Sequence, residues 1–170
     1  MLLVRSRSAV VAVLCAVFFI AGCAGVYSQP DATQAHAVLT MLPPTGAPSM
    51  AFVAWGEEAC GKSSDLGVLG SFNFRVNEPF EKQTVRLKTG VPIFISAAHA
   101  TSDVVYPTYN TRRIITHSCK VYFSLVPSQG ERYMAQMTVS PDGCNLKVVD
   151  EATQQPPKSL KFLPRRECIR

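Results

Sequence analysis

Ser71-Phe72-Asn73-Phe74-Arg75-Val76-Asn77 alternates apolar and polar side chains, with Phe72, Phe74 and Val76 on one side and Asn73, Arg75 and Asn77 on the other. A period of two puts neighbours on opposite faces of a strand, so the stretch predicts a sheet with one buried and one wetted face. QTVRLKT at 83–89 repeats the pattern, with Val85 and Leu87 against Arg86 and Lys88. Thr89-Gly90 then leads into VPIFISAA at 91–98, whose nearly continuous apolar run predicts a central strand covered on both sides.

Working outward, the same kind of short apolar segment recurs at 36–42 (HAVLTML), 50–55 (MAFVAW), 113–126, 131–139 (ERYMAQMTV) and 144–150 (CNLKVVD). Pro, Gly, Asn and Asp separate these segments, and no segment carries a helical period, which is an all-β signature. Turn chemistry is explicit at Pro43-Pro44-Thr45-Gly46, Pro127-Ser128-Gln129-Gly130 and Ser140-Pro141-Asp142-Gly143. Each lies between two apolar stretches, so consecutive strands are expected to pair as antiparallel hairpins. The fold class that follows is an antiparallel β-sandwich of about 7–9 strands, with a closed barrel as the alternative. The stretch from Phe80 to Ala98 is similar to part of a transthyretin-like or carboxypeptidase-regulatory-like sandwich, a resemblance that implies the same architecture and no particular activity.

The chain begins differently. Arg5 and Arg7 precede an apolar run from Ala9 to Ile20 and a small-residue exit, Ala21-Gly22-Cys23. This is the layout of an export signal, and the run is shorter than the roughly 20 residues a spanning helix needs. Ile20-Ala21-Gly22-Cys23 resembles the bacterial lipoprotein signal, an aliphatic residue and two small ones before an obligatory cysteine. The resemblance implies that residues 1–22 are removed and that Cys23 carries acyl chains holding the protein on a membrane. Ala24 stands where an Asp would signal inner-membrane retention, which implies the periplasmic face of the outer membrane. Residues 23–35, small and polar, then read as a lipid-bearing flexible tether, and residues 36–170 as a single domain.

Partitioning at that cysteine changes the totals. The chain of 170 residues is 47% hydrophobic with a formal charge of +5, but 17 of the first 22 residues are apolar and two of the 17 basic residues lie there. The body carries 15 Lys+Arg against 12 Asp+Glu, a net +3. Such a body fits one domain and excludes a multi-domain enzyme. Of six cysteines, Cys15 falls in the leader and Cys23 takes the lipid, leaving Cys60, Cys119, Cys144 and Cys168. An even number in an exported chain predicts two disulfides. Three connectivities are open; the position of Cys119 and Cys144 around a hairpin-like stretch favours that pair and leaves Cys60 for Cys168. The absence of a Cys-x-x-Cys pair argues against zinc.

Candidate chemistry is sparse. The three histidines are His36, His99 and His117. His99 precedes Asp103 by four residues, a pair that in a loop could bind a metal or share a proton, and His117 shares a strand face with Cys119. No Gly-x-Ser-x-Gly, His-Glu-x-x-His or phosphate-cradling Gly-rich loop occurs. The most distinctive segment is VYPTYNTRR at 105–113, read as a surface loop presenting Tyr106, Tyr109, Arg112 and Arg113. Tyrosine and arginine give large contact area with a polar tip, as partner-binding surfaces require. After the polar linker 151–159, a tail with Lys158, Lys161, Arg165, Arg166 and Arg170 against Glu167 suits anionic lipid or cell wall.

The expectation is therefore a non-enzymatic envelope lipoprotein, without cofactor or bound metal. It is anchored through Cys23 and binds another envelope protein or the cell wall. Nucleic acid is excluded as a partner by compartment and by the lack of a binding motif. The alternatives are a small periplasmic hydrolase or metal-dependent enzyme using His99 and Asp103, and a periplasmic inhibitor of a host enzyme. The basic body disfavours the inhibitor where the target is a cationic lysozyme.

Overall fold

Ile93 to Ala98 of the run at 91–98 form the start of a strand that continues far beyond it, while Val91 and Pro92 precede the strand. The computed structural model of the protein describes residues 25–47, 49–58, 64–73, 80–108 and 111–164. Among these the strands are β1 (His36–Met41), β2 (Met50–Trp55), β3 (Asp65–Phe72), β4 (Gln83–Lys88), β5 (Ile93–Thr108), β6 (Thr111–Leu125), β7 (Arg132–Ser140), β8 (Gly143–Asp150) and β9 (Lys161–Leu163), with no helix. They form two sheets, ordered β4-β1-β7-β8 and β3-β2-β5-β6-β9.

The alternating segments explain the layering. Leu39 and Met41 of β1, Leu87 of β4 and Met137 of β7 share one buried cluster with Phe52 of β2, Ile95 of β5 and Phe123 of β6. The protein is thus all-β, with two sheets around one core, consistent with a sandwich. The apolar run of β5 is covered on both sides, as expected. Ile93, Ile95 and Ala97 face the core, while Ser96 is buried on the other face, where Trp55 Nε1 donates to its hydroxyl at 3.4 Å. Phe94 packs there with Val53 and Trp55 in a small second cluster.

Four expectations need correction. First, pairing is not purely antiparallel, because β1 lies parallel to β7, with Leu39 opposite Tyr133. Turn residues reverse the chain but do not choose its partner. Only β2–β3, β5–β6 and β7–β8 pair as sequential neighbours, whereas the turns at 43–46 and 127–130 carry the chain from one sheet to the other. Second, the strand that reaches Ser71 and Phe72 begins upstream of the expected 71–77, because β3 runs from Asp65 to Phe72; Phe74, Arg75, Val76 and Asn77 lie outside the described residues. The sequence of β3, DLGVLGSF, lacks alternation because two glycines interrupt it. Third, the linker to the tail leads into β9, which pairs with β6 through Phe162 opposite Phe123.

The fourth correction concerns the tether. From Gly25 onward the chain is bonded to the domain: Val68 N–H donates to the Gly25 carbonyl at 2.8 Å, and Tyr27 N–H to the Val68 carbonyl at 3.0 Å. Tyr27 belongs to the core. Arg86 donates its backbone N–H to Gln29 Oε1 at 2.9 Å and its Nε–H to the Pro30 carbonyl at 2.8 Å. Gly67 allows this approach. Its φ is +105°, and a Cβ there would sit 2.8 Å from the Tyr27 nitrogen. Polar composition signalled a solvated tether, but these backbone groups find partners on β3 and β4 instead.

Among the described residues a disulfide joins Cys119 and Cys144, with Cα atoms 5.9 Å apart. It does not close a hairpin. Cys119 is on β6 and Cys144 on β8, so it fastens one sheet to the other. Cys23, Cys60 and Cys168 lie outside the described residues.

Candidate functional site

β5 has 16 residues and β6 has 15, well beyond the five or six usual for a strand. Their neighbours are much shorter. β2 pairs with β5 only from Ala51↔Ala98 to Trp55↔Phe94, and β9 covers β6 only at Tyr122 to Ser124. The β5–β6 ladder nevertheless continues, through Ala100↔Ser118 and Val104↔Ile114 to Thr108↔Thr111, with an irregularity between Val105 and Thr108. Residues 100–108 and 111–118 therefore form a two-stranded arm, roughly 30 Å long at the rise of an extended chain, that leaves the end of the sandwich.

An isolated two-stranded ribbon is marginally stable in water, so its root matters. His99 is 6% exposed and its Nδ1 lies 2.6 Å from the Ser49 carbonyl oxygen. Ser49 Oγ–H donates to the Ala100 carbonyl at 3.0 Å. Cys119, opposite His99 on the partner strand, carries the inter-sheet disulfide. Farther out, the hydroxyls of Ser102 and Thr116 are 3.2 Å apart across the ladder.

The arm exposes apolar side chains. Val104 and Ile114, directly opposite each other, are 41% and 58% exposed, and Tyr106 is 69% exposed. Arg112 and Arg113 are exposed beside them. Tyr106, Arg112 and Arg113 thus lie together near the arm's tip, on strands rather than on the loop expected from sequence. Tyr109 lies outside the described residues. Val104 and Ile114 were missed because apolar residues in strand-like runs read as core; only a missing neighbouring strand turns them outward.

The histidines separate. His99 and Asp103 are both on β5, about 13 Å apart along an extended strand, so they cannot share a ligand. Asp103 instead approaches His117 at 3.7 Å, on a face where both side chains are about two-thirds exposed. His99, His117 and Cys119 line a shallow groove of about 500 Å³ between the arm and the β7–β8 turn. Among the described residues no three His, Cys, Asp or Glu side chains gather as a metal site. His36 lies at the far end of β1 and contacts the Gln34 carbonyl at 2.7 Å. Of the basic tail, Lys158 and Lys161 are exposed, and Arg165, Arg166, Glu167 and Arg170 lie outside the described residues.

No protein-family model, curated protein or solved structure matches the chain.

Proposed function

We propose that the protein is a cell-envelope lipoprotein whose exposed β-arm binds another envelope component. The observation that carries this reading is the arm itself, a ribbon without a sheet neighbour among the described residues that displays Val104, Tyr106, Ile114, Arg112 and Arg113 to solvent. Exposed contiguous apolar side chains rimmed by charge mark interaction sites on soluble domains. A protein partner fits best, because Tyr and Arg anchor such interfaces and an open ribbon edge can accept a further strand. Binding rather than catalysis is assigned because the arm supplies contact area, while His99 and Asp103 stay apart.

The anchor is Cys23, acylated at the outer membrane on the periplasmic side, as the motif Ile20-Ala21-Gly22-Cys23 and the following Ala24 suggest. Export also makes a second disulfide, Cys60 with Cys168, the expected state of the remaining pair. A photo-crosslinking residue at position 104, 106 or 114 in living cells should trap the partner, and Tyr106→Ala with Arg112→Ala should abolish capture without lowering the melting temperature. Undiminished capture by the double variant would remove the arm as the binding element.

A further inference from the structure

Two ends of the molecule can be told apart by strand direction. β5 starts at Ile93 and runs outward into the arm; Trp55 and Asp65 pair at the starting end, since Trp55 is opposite both Phe94 and Asp65. The docked N-terminal segment is also held toward that end. Val26 bridges Val68 in the parallel sense, so Gly25 lies on the side of Val68 nearer the start of β3. Large apolar side chains exposed there include Val26 at 83%, Leu66 at 43%, Val91 at 46% and, after Leu125 opposite Ile93, Val126 at 38%. Leu66 and Val91 line one groove with Tyr27, Lys88 and Pro92.

The length of chain between this end and the acylated residue decides what can cover it. A free tether over residues 23–35 would span about 20 Å on average and let the domain tumble. With Gly25 bonded to Val68, only two peptide units separate Cys23 from the body, a reach of at most about 7 Å. We infer that this end, through Val26, Leu66 and Val91, rests on the lipid surface that holds the Cys23 acyl chains. The sandwich then stands on the membrane with its arm directed away from it. The inference rests on the acylation of Cys23 proposed above. The sixteen residues of β5 carry the arm's tip roughly 50 Å from the membrane end. Glu57, Glu58 and Asp65 lie at the same end as Lys88, and Glu131 and Asp150 stand near Lys158 there, so the basic side chains are offset and the contact draws on apolar side chains and the covalent anchor, not on attraction to anionic headgroups.

The test uses the full-length lipidated protein in vesicles containing doxyl-labelled phospholipid, with a fluorescent amino acid at position 66, 91 or 106. Labels at 66 and 91 should lose most of their fluorescence and the label at 106 none, equally at low and high salt. A Gly/Ser spacer inserted between Ala24 and Gly25 should return 66 and 91 to the unquenched level while leaving the fold intact. Equal quenching at all three positions, or none at 66 and 91, overturns the inference. Mass analysis of the N-terminal peptide and cosedimentation with vesicles report the anchor separately. Acylated, cosedimenting protein with unquenched labels refutes the orientation alone, whereas an unacylated Cys23 refutes both readings. A Cys23→Ser chain that dimerises and is dispersed by Leu66→Glu would assign the patch to a second copy, and would equally overturn the inference.

Discussion

Two halves of one hairpin contrast most sharply. In the sandwich, β5 and β6 pair Ile95 with Phe123, exposed 1% and 0%; in the arm, the same two strands pair Val104 with Ile114, exposed 41% and 58%. The ladder is continuous and both pairs are apolar. What differs is the presence of β2, β9 and the opposing sheet. A fully buried side chain of this size contributes about 1.5–3 kcal/mol relative to exposure, whereas a cross-strand pair on an open ribbon contributes about 0.2–1 kcal/mol. Backbone pairing therefore makes a strand, and cover makes a core. Apolar residues that have the first without the second are available to another molecule.

The largest effect should come from the covered half. Phe123→Ala is expected to cost about 3–5 kcal/mol, while Ile114→Ala should fall within about 0.5 kcal/mol, both read from denaturant melts. Equal losses would erase the distinction between core and arm. Next is the root: replacing Cys119 and Cys144 together by alanine should cost about 3 kcal/mol, in line with the 25-residue separation they close. Hydrogen exchange should then quicken in residues 100–118 before it does in Ile93 to Ala97.

The smallest effects sharpen the contrast between two carboxylates. Glu151 accepts from Thr40 Oγ1 at 2.7 Å and from Arg132 Nε at 2.8 Å. The hydrogen bond from Arg132, and then that from Thr40, hold its pKa below the ordinary 4.5. Because the folded state lowers this pKa, the stabilisation is present above about pH 4.5 and fades as pH falls through the folded value. Glu151→Gln should cost about 1 kcal/mol at neutral pH, and its melting curve should converge with the parent's in acid. Asp103→Asn on the arm should change stability by less than about 0.5 kcal/mol, since an exposed pair such as Asp103–His117 is screened by water and salt.

Much of the fold was readable residue by residue. Val85 and Leu87 alternate with Arg86 and Lys88 because β4 has one buried face, and the Ser140–Gly143 turn does close the β7–β8 hairpin. β3 escaped reading because Gly67 is there to admit the backbone of Gly25 to Tyr27, a contact with a segment more than 40 residues earlier. Tyr106, Arg112 and Arg113 stood out as interface residue types, yet their placement on strands depended on how far the β5–β6 ladder extends. Asp103 meets His117 rather than His99 because the register sets Asp103 opposite Ile115 and His117 opposite Thr101, which makes the two diagonal neighbours on one face.

Local alternation and turn chemistry determined that the domain is all-β and which side of most strands is apolar, because these depend on a two-residue period and on φ preferences within a few bonds. Only the tertiary structure decided which strands are neighbours, that β1 runs parallel to β7, that residues 25–30 dock on β3 and β4, and that β5 and β6 outrun their sheet. Those outcomes depend on contacts between residues distant in sequence, and the same apolar side chain becomes core or contact surface according to whether another strand arrives to cover it.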